Sequence, residues 1–338
     1  MRKKGWFFHA TDFQTLMYPC FMFCRILGIF PYKINNMIFE ASKPRYILST
    51  ATICVSCVSH LIVCYQLQIF TKINFENTIK LLSLTCDFIL LSTLGIATLI
   101  FSKPRMRLLQ IIMEISSKLS PESYQKLSGL IHAKDIFGSF YIIGMLFMYS
   151  YKERLDVLPT MSIIYINLFI FHTDMLYMNC VCVLKTCVKE IDNNLLHTLI
   201  VNNKPRVLTM IYEKRNPFLI IKLKNLMKKH MAISNAVQML NMSLSVQLLV
   251  SIIIIFYDVS LNTYLYLVQW HSELVFNLDK QVGDIYLLYI LYYIIKTALI
   301  VWACETCKNQ AQEIRTTIHH VLNSTRDEKI KYELQLFS

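Results

Sequence analysis

The chain has 338 residues, 55% of them apolar and only 17% charged, with a mean hydropathy of +0.43. Soluble proteins carry roughly 25% charged residues, so an ordinary soluble domain is excluded. The net charge of +12 does not describe a nucleic-acid face either, because the basic residues are spread over separated segments and not one compact surface.

In chain order, the first twenty residues carry a basic head, but His9, Asp12 and Gln14 interrupt any apolar run. That is a poor secretory signal, and the first true span is expected to act as the insertion signal. A helix needs about 20 apolar residues to cross the hydrocarbon core. Six stretches meet or approach this: 46–70, 79–101, 136–151, 161–184, 236–257 and 284–304. The third is the shortest and contains Gly138 and Gly144; it is expected to recruit 132–135 as an interfacial first turn. The fourth, fifth and sixth run on into polar, still helix-patterned sequence. With only 7 Gly and 8 Pro, breakers are scarce. The predicted fold class is therefore all-α, a multi-pass helical membrane protein.

The expected organisation is a segment 1–45, a six-span membrane domain 46–304 with helical extensions at 185–235, and a helical tail 305–338. Lys and Arg give it a direction. Four alternate segments hold 28 of them, against 4 in the other three connections. By the positive-inside rule, both ends of the chain are expected in the cytosol, inverted relative to a G-protein-coupled receptor, with the charge of +12 serving as anchoring to anionic lipid. The eleven cysteines all avoid the outer connections, so no disulfide framework is expected. Cys304 and Cys307 lack the second pair or His pair that a metal site needs. Asn241 and Asn323 open N-x-S/T triplets, one inside a span and one on the cytosolic side, where neither is a glycosylation site. No nucleophile elbow, HExxH, P-loop or dinucleotide fingerprint is present, and neither an enzyme nor a cofactor is expected.

Several local patterns carry a resemblance. CRILGIFPY (24–32) is similar to the Leu-Gly-x-x-Pro lead-in of insect gustatory receptors. TDMLYMNCVCVLKTCVKEIDNNLL (173–196) resembles their fourth span running into a cytoplasmic helix. HMAISNAVQMLNMSLSVQLLV (230–250) looks like the fifth-span entry, and WACETCKNQAQEIRTTIHHVLNSTRDEKIKYELQLFS (302–338) like the sixth-span exit. The resemblance implies a receptor for a small-molecule tastant in the plasma membrane of a sensory neuron. It also implies a homo- or hetero-tetrameric ligand-gated cation channel, formed with related subunits and lined by a seventh span. The family's Thr-Tyr and Gln-Phe motif in that span is missing. TYLYLVQW (263–270) imitates it with four residues between Tyr264 and Gln269, and is expected in the loop after the fifth span. From Thr325, a T-x-x-E capping box to Glu328 followed by Ile330, Leu334 and Phe337 opens a further helix. The chain is thus expected to be truncated before the pore helix and to give no ligand-gated current alone. Alternatives are an odorant receptor of the sister family, a G-protein-coupled receptor or a transporter.

Ionisable groups at mid-membrane depth cost about 2.5–3.5 kcal/mol, so Asp87, His172, Asp174 and Lys296 must face protein or a water-filled cavity. They are candidates for a ligand pocket; ion pairing of Lys296 with either aspartate is the alternative. His172 and Asp174 cannot chelate jointly, since i and i+2 point about 200° apart on a helix. Tyr286, Tyr289 and Tyr293 lead to Lys296 on one face, an arrangement suited to sugars, polyols or alkaloid-like ligands. Tyr286 and Tyr289 also fit an interfacial aromatic belt. Tyr151, Tyr257 and Asp258 complete the candidate pocket. Ile314, Ile318, Val321 and Leu322 form an apolar stripe after the sixth span, with Leu219, Ile220, Leu223, Leu226 and Met227 before the fifth. These stripes are candidates for a cytoplasmic anchor between subunits, or for packing within the chain.

Overall fold

The computed structural model of the protein describes residues 9–35, 37–70, 75–152, 154–203, 212–276, 280–324, 328, 331, 332 and 335. Eight helices and one hairpin make up these residues: α1 (Phe13–Ile26), β1 (Tyr32–Asn35), β2 (Ile38–Ala41), α2 (Lys43–Phe70), α3 (Phe75–Ile100), α4 (Ser102–Ser116), α5 (Pro121–Lys152), α6 (Val157–Asn203), α7 (Tyr212–Phe276) and α8 (Lys280–Ser324). Five helices are long and apolar enough to cross a membrane, and a sixth crossing results if α3 and α4 count as one bent unit. The chain is an all-α multi-pass membrane protein with a minor antiparallel hairpin, in which Tyr32 faces Ala41 and Asn35 faces Ile38.

Scarce breakers explain the long rods. No Gly or Pro separates Pro217 from Gly283, or Thr160 from Lys204, so α7 and α6 run on for 65 and 47 residues. The expectation of a loop around TYLYLVQW is corrected on this ground: residues 263–270 are part of α7. Pro19 and Pro217 are carried inside α1 and α7, but two other prolines set boundaries. Pro104 lacks an amide, and its ring would strike the carbonyl of Ile100 in a continuous helix; α3 ends there and α4 leaves at 62°. Pro121 takes the first helical position of α5, and the Ser120 Oγ accepts from the Ser123 amide at 3.3 Å as its cap. The third span therefore begins well before Ile136. His132 and Asp135 lie in the middle of this helix, buried at 1% and 0% exposure.

The described part of the N-terminal segment packs into the bundle. An Asp12–Thr15 capping box starts α1. The Leu27-Gly28 stop is a Schellman motif: the Ile29 amide donates to the Cys24 carbonyl at 2.7 Å, and that of Gly28 to Arg25 at 3.3 Å. Gly28 holds φ +80, and a Cβ there would stand 3.1 Å from the Ser49 carbonyl oxygen. The helix is packed against α5 and α6, burying Phe13, Leu16, Met17, Cys20, Phe21 and Cys24. Below it, Arg105 of α4 is 1% exposed and donates to the Ile29 carbonyl at 3.2 Å. Tyr32, buried, donates to the Ser102 carbonyl at 2.5 Å.

The α6 rod is the axis of the bundle. Of its most apolar span, 83% is buried inside the chain, against 22% for α2 and for α8. A helix apolar all round belongs at the centre, whereas the others show one face to lipid.

Candidate functional site

Three helices bring ionisable groups to one side of α6. On α7, Gln247, Ser251 and Asp258 recur at intervals of four and seven residues and share a face. On α8, Tyr289, Tyr292, Tyr293 and Lys296 do the same. Asp174 of α6 lies between them. Its Oδ2 accepts from the Ser251 hydroxyl at 2.6 Å and stands 2.7 Å from the Lys296 Nζ. Both charged side chains are 1% exposed. The Lys296 approach lies off the hydrogen-bond direction, so the two are held as an ion pair and the ammonium retains donor capacity for a further acceptor. The ammonium also stands over aromatic rings, 5.7 Å from the Tyr293 centroid and 6.0 Å from that of Tyr292.

One turn further along, the Tyr293 hydroxyl donates to Asp258. Asp87 of α3 is half-buried and within electrostatic reach of Asp258; no hydrogen bond or ion pair among the described residues holds it. Tyr289 meets Tyr149 edge-to-face at 6.2 Å. On the other side, the Gln247 amide donates to the Thr98 hydroxyl at 2.8 Å, leaving its own oxygen buried and unpaired. The cluster thus holds three carboxylates against one ammonium, lined by tyrosines.

The sequence candidates divide accordingly. Asp87, Asp174, Asp258, Tyr289, Tyr293 and Lys296 come together. Tyr286 is buried and does not sit in a lipid-facing belt. Tyr257 is half-buried beside Asp258. Tyr151 stands apart, 89% exposed. His172 turns the opposite way from Asp174, as two residues of helix require. Its Nε2 is 2.9 Å from the Ser139 Oγ, and its ring stacks on Phe23 of α1 at 4.6 Å. Because the single Ser139 hydroxyl proton goes to the Asp135 carbonyl at 2.6 Å, Nε2 of His172 must be the donor in that pair, and Nδ1 is left a buried bare acceptor.

A second polar group lies beyond it, unforeseen from the sequence. Lys134 pairs with Asp135 and donates to the Asn179 Oδ1 at 2.8 Å, while the Asn179 amide donates to the other Asp135 oxygen at 2.8 Å. Neighbouring His132 donates from Nε2 to the Leu16 carbonyl at 2.9 Å, tying α1 to α5. Of the apolar stripe on α8, Ile314 and Ile318 are buried at 1% and 2% within the chain, and Leu322 packs against the same core. The side chain of Val321, and Thr325, Ile330, Leu334 and Phe337, lie outside the described residues. Packing within the chain covers the two isoleucines, which leaves them no free surface for another subunit.

The model of the 7tm chemosensory receptor family matches residues 17–338. The chain belongs to that family. No curated protein matches it. Membership supports a chemoreceptor role.

Proposed function

We propose that this chemosensory receptor is of the gustatory type and takes a small-molecule tastant at the Asp87–Asp258–Tyr293–Lys296 cluster. It would sit in the plasma membrane of a sensory cell with the Lys- and Arg-rich end of the bundle in the cytosol, and assemble with related subunits into a ligand-gated cation channel. The observation that carries the reading is the pairing of spare capacity with chemistry. Asp87 is half-exposed with no hydrogen bond or ion pair among the described residues, and Lys296 keeps donor capacity beside two tyrosine rings. Such a group can exchange internal contacts for ligand contacts. A ligand shifts a closed–open equilibrium only by its differential affinity for the two states. Tyr293 and Lys296 on α8 and Asp258 on α7 make that differential available, since a ligand inserted between them changes how those two rods meet.

The test is a panel of sugars, polyols and alkaloids applied to cells expressing the receptor together with related subunits, read by calcium entry. A response that Asp258→Asn and the charge-relieved pair Lys296→Met/Asp174→Asn each abolish, at unchanged surface level, is expected. A response untouched by both variants would overturn the site. An epitope ahead of Arg2, reachable by antibody on intact cells, would overturn the orientation.

A further inference from the structure

Far from that cluster, α4, the second half of α6 and the first part of α7 enclose a cavity of about 650 Å³, within the range of ligand sites. Its mouth carries Lys118, Lys222, Lys228 and Lys229, with Glu114 and Glu190. The two carboxylates are already engaged by amides of their own helices: Gln110 donates to Glu114 at 2.8 Å, and Asn194 to Glu190 at 3.2 Å. None of the four ammonium groups has a hydrogen-bond or ion-pair partner among the described residues, although Lys222 and Lys229 are half-buried. The floor is apolar, formed by Leu119, Ile191 and Ile233.

Four lysines against two carboxylates leave the lining with a net charge of +2, which favours an anion, and lysine is a phosphate binder. Lys118 and Lys228 are exposed at the rim, while Lys222 and Lys229 are half-buried in the wall of a half-open cavity with an apolar base. We infer that the cavity is a binding site for a phosphate-bearing polyanion, free or as the headgroup of an anionic lipid whose glycerol region rests on the apolar floor. The site is independent of the tastant cluster but shares its rods: Ile233 and Ser251 are both on α7, about 27 Å apart along the axis.

The experiment uses the full chain in nanodiscs of neutral phosphatidylcholine. Two probes are titrated: soluble inositol hexakisphosphate, and phosphatidylinositol bisphosphate built into the nanodisc, each read by thermal stabilisation and by displacement of a fluorescent headgroup. Binding is expected, and K222Q/K229Q should weaken it about tenfold or more, at roughly 1 kcal/mol per basic residue near a membrane surface. K222R/K229R should restore it. K103Q/K126Q, which removes the same charge from other exposed positions, should leave it unchanged. Competition by the soluble anion assigns the site to the phosphate group alone; protection by the lipid without such competition assigns it to the headgroup in its membrane. Equal weakening by the control pair, or no binding of either probe to a chain that melts normally in neutral nanodiscs, overturns the proposal.

Discussion

Two polar clusters inside the same bundle differ in their charge balance. At Lys134–Asp135–Asn179 one ammonium meets one carboxylate, and a single amide bridges both, donating to one and accepting from the other. Between α3, α6, α7 and α8, three carboxylates face one ammonium, one aspartate is unbonded, and the lysine donors are misaligned. A balanced, closed group acts as scaffold, because every change to it leaves a buried charge stranded. An unbalanced, half-open group retains something to offer a ligand. The difference between them can be attacked directly.

The largest effect is expected at the balanced group. Lys134→Met strands Asp135, which is 0% exposed, and breaking a buried pair from one side costs about 3–5 kcal/mol. The purified receptor should lose its cooperative melt in detergent and fail to reach the cell surface, whereas Lys134→Arg should retain both. A Lys134→Met protein with normal melting would mean that this group is not a scaffold.

At the unbalanced group, Lys296→Met should also destabilise, by about 3 kcal/mol, since Asp174 keeps only Ser251. Adding Asp174→Asn removes the stranded charge and should return most of the lost stability, a coupling on the order of 1–3 kcal/mol measured by a double-mutant cycle of thermal unfolding. Stability recovers in the double variant, but the tastant response does not. Recovery of both would reduce the pair to a structural tie.

Much of this was legible from hydropathy and charge. The rods around 161–184, 236–257 and 284–304 follow from apolar length, and the separation of His172 from Asp174 follows from helix geometry alone. Asp87, Asp258, Tyr293 and Lys296 stood out because charge and phenol are costly in hydrocarbon. Ser251 and Tyr292 did not stand out, since a serine in a span is commonplace and Tyr292 sits one step off the stripe read from Tyr286. The scaffold group was hidden more deeply. Adjacent residues such as Lys134 and Asp135 do not face each other on a helix, and only Asn179, brought by α6, makes them a unit. The burial of α1 went unread in the sequence because it depends on α5 and α6, which no local pattern encodes.

Smaller effects come from close packing along α5. A Cβ on Gly138 would lie 2.3 Å from the Phe171 ring, which is itself buried at 4%. Gly138→Ala should cost about 1–3 kcal/mol as an overpacked contact. Gly144 has open space around its Cα, so Gly144→Ala in the same helix should be neutral or stabilising by up to about 1 kcal/mol. Melting temperatures of the two variants, measured side by side, check whether α5 is pinned to α6 at its Gly138 turn and free at Gly144.

The smallest effect on folding and the most informative on function belongs to Asp87. It is half-exposed and bonded to nothing described, so Asp87→Asn should change stability by no more than about 0.5 kcal/mol. Its neutralisation also relieves repulsion with Asp258, which argues against any large loss. If the unbalanced cluster is where the tastant binds, the same substitution should shift the concentration for half-maximal response about tenfold, the value of one charge-assisted hydrogen bond. A scaffold residue cannot behave this way, because it changes function only through folding. An Asp87→Asn receptor that melts like the parent and responds like the parent would move the ligand away from α3, and would leave Lys296 and Asp258 to be explained as packing.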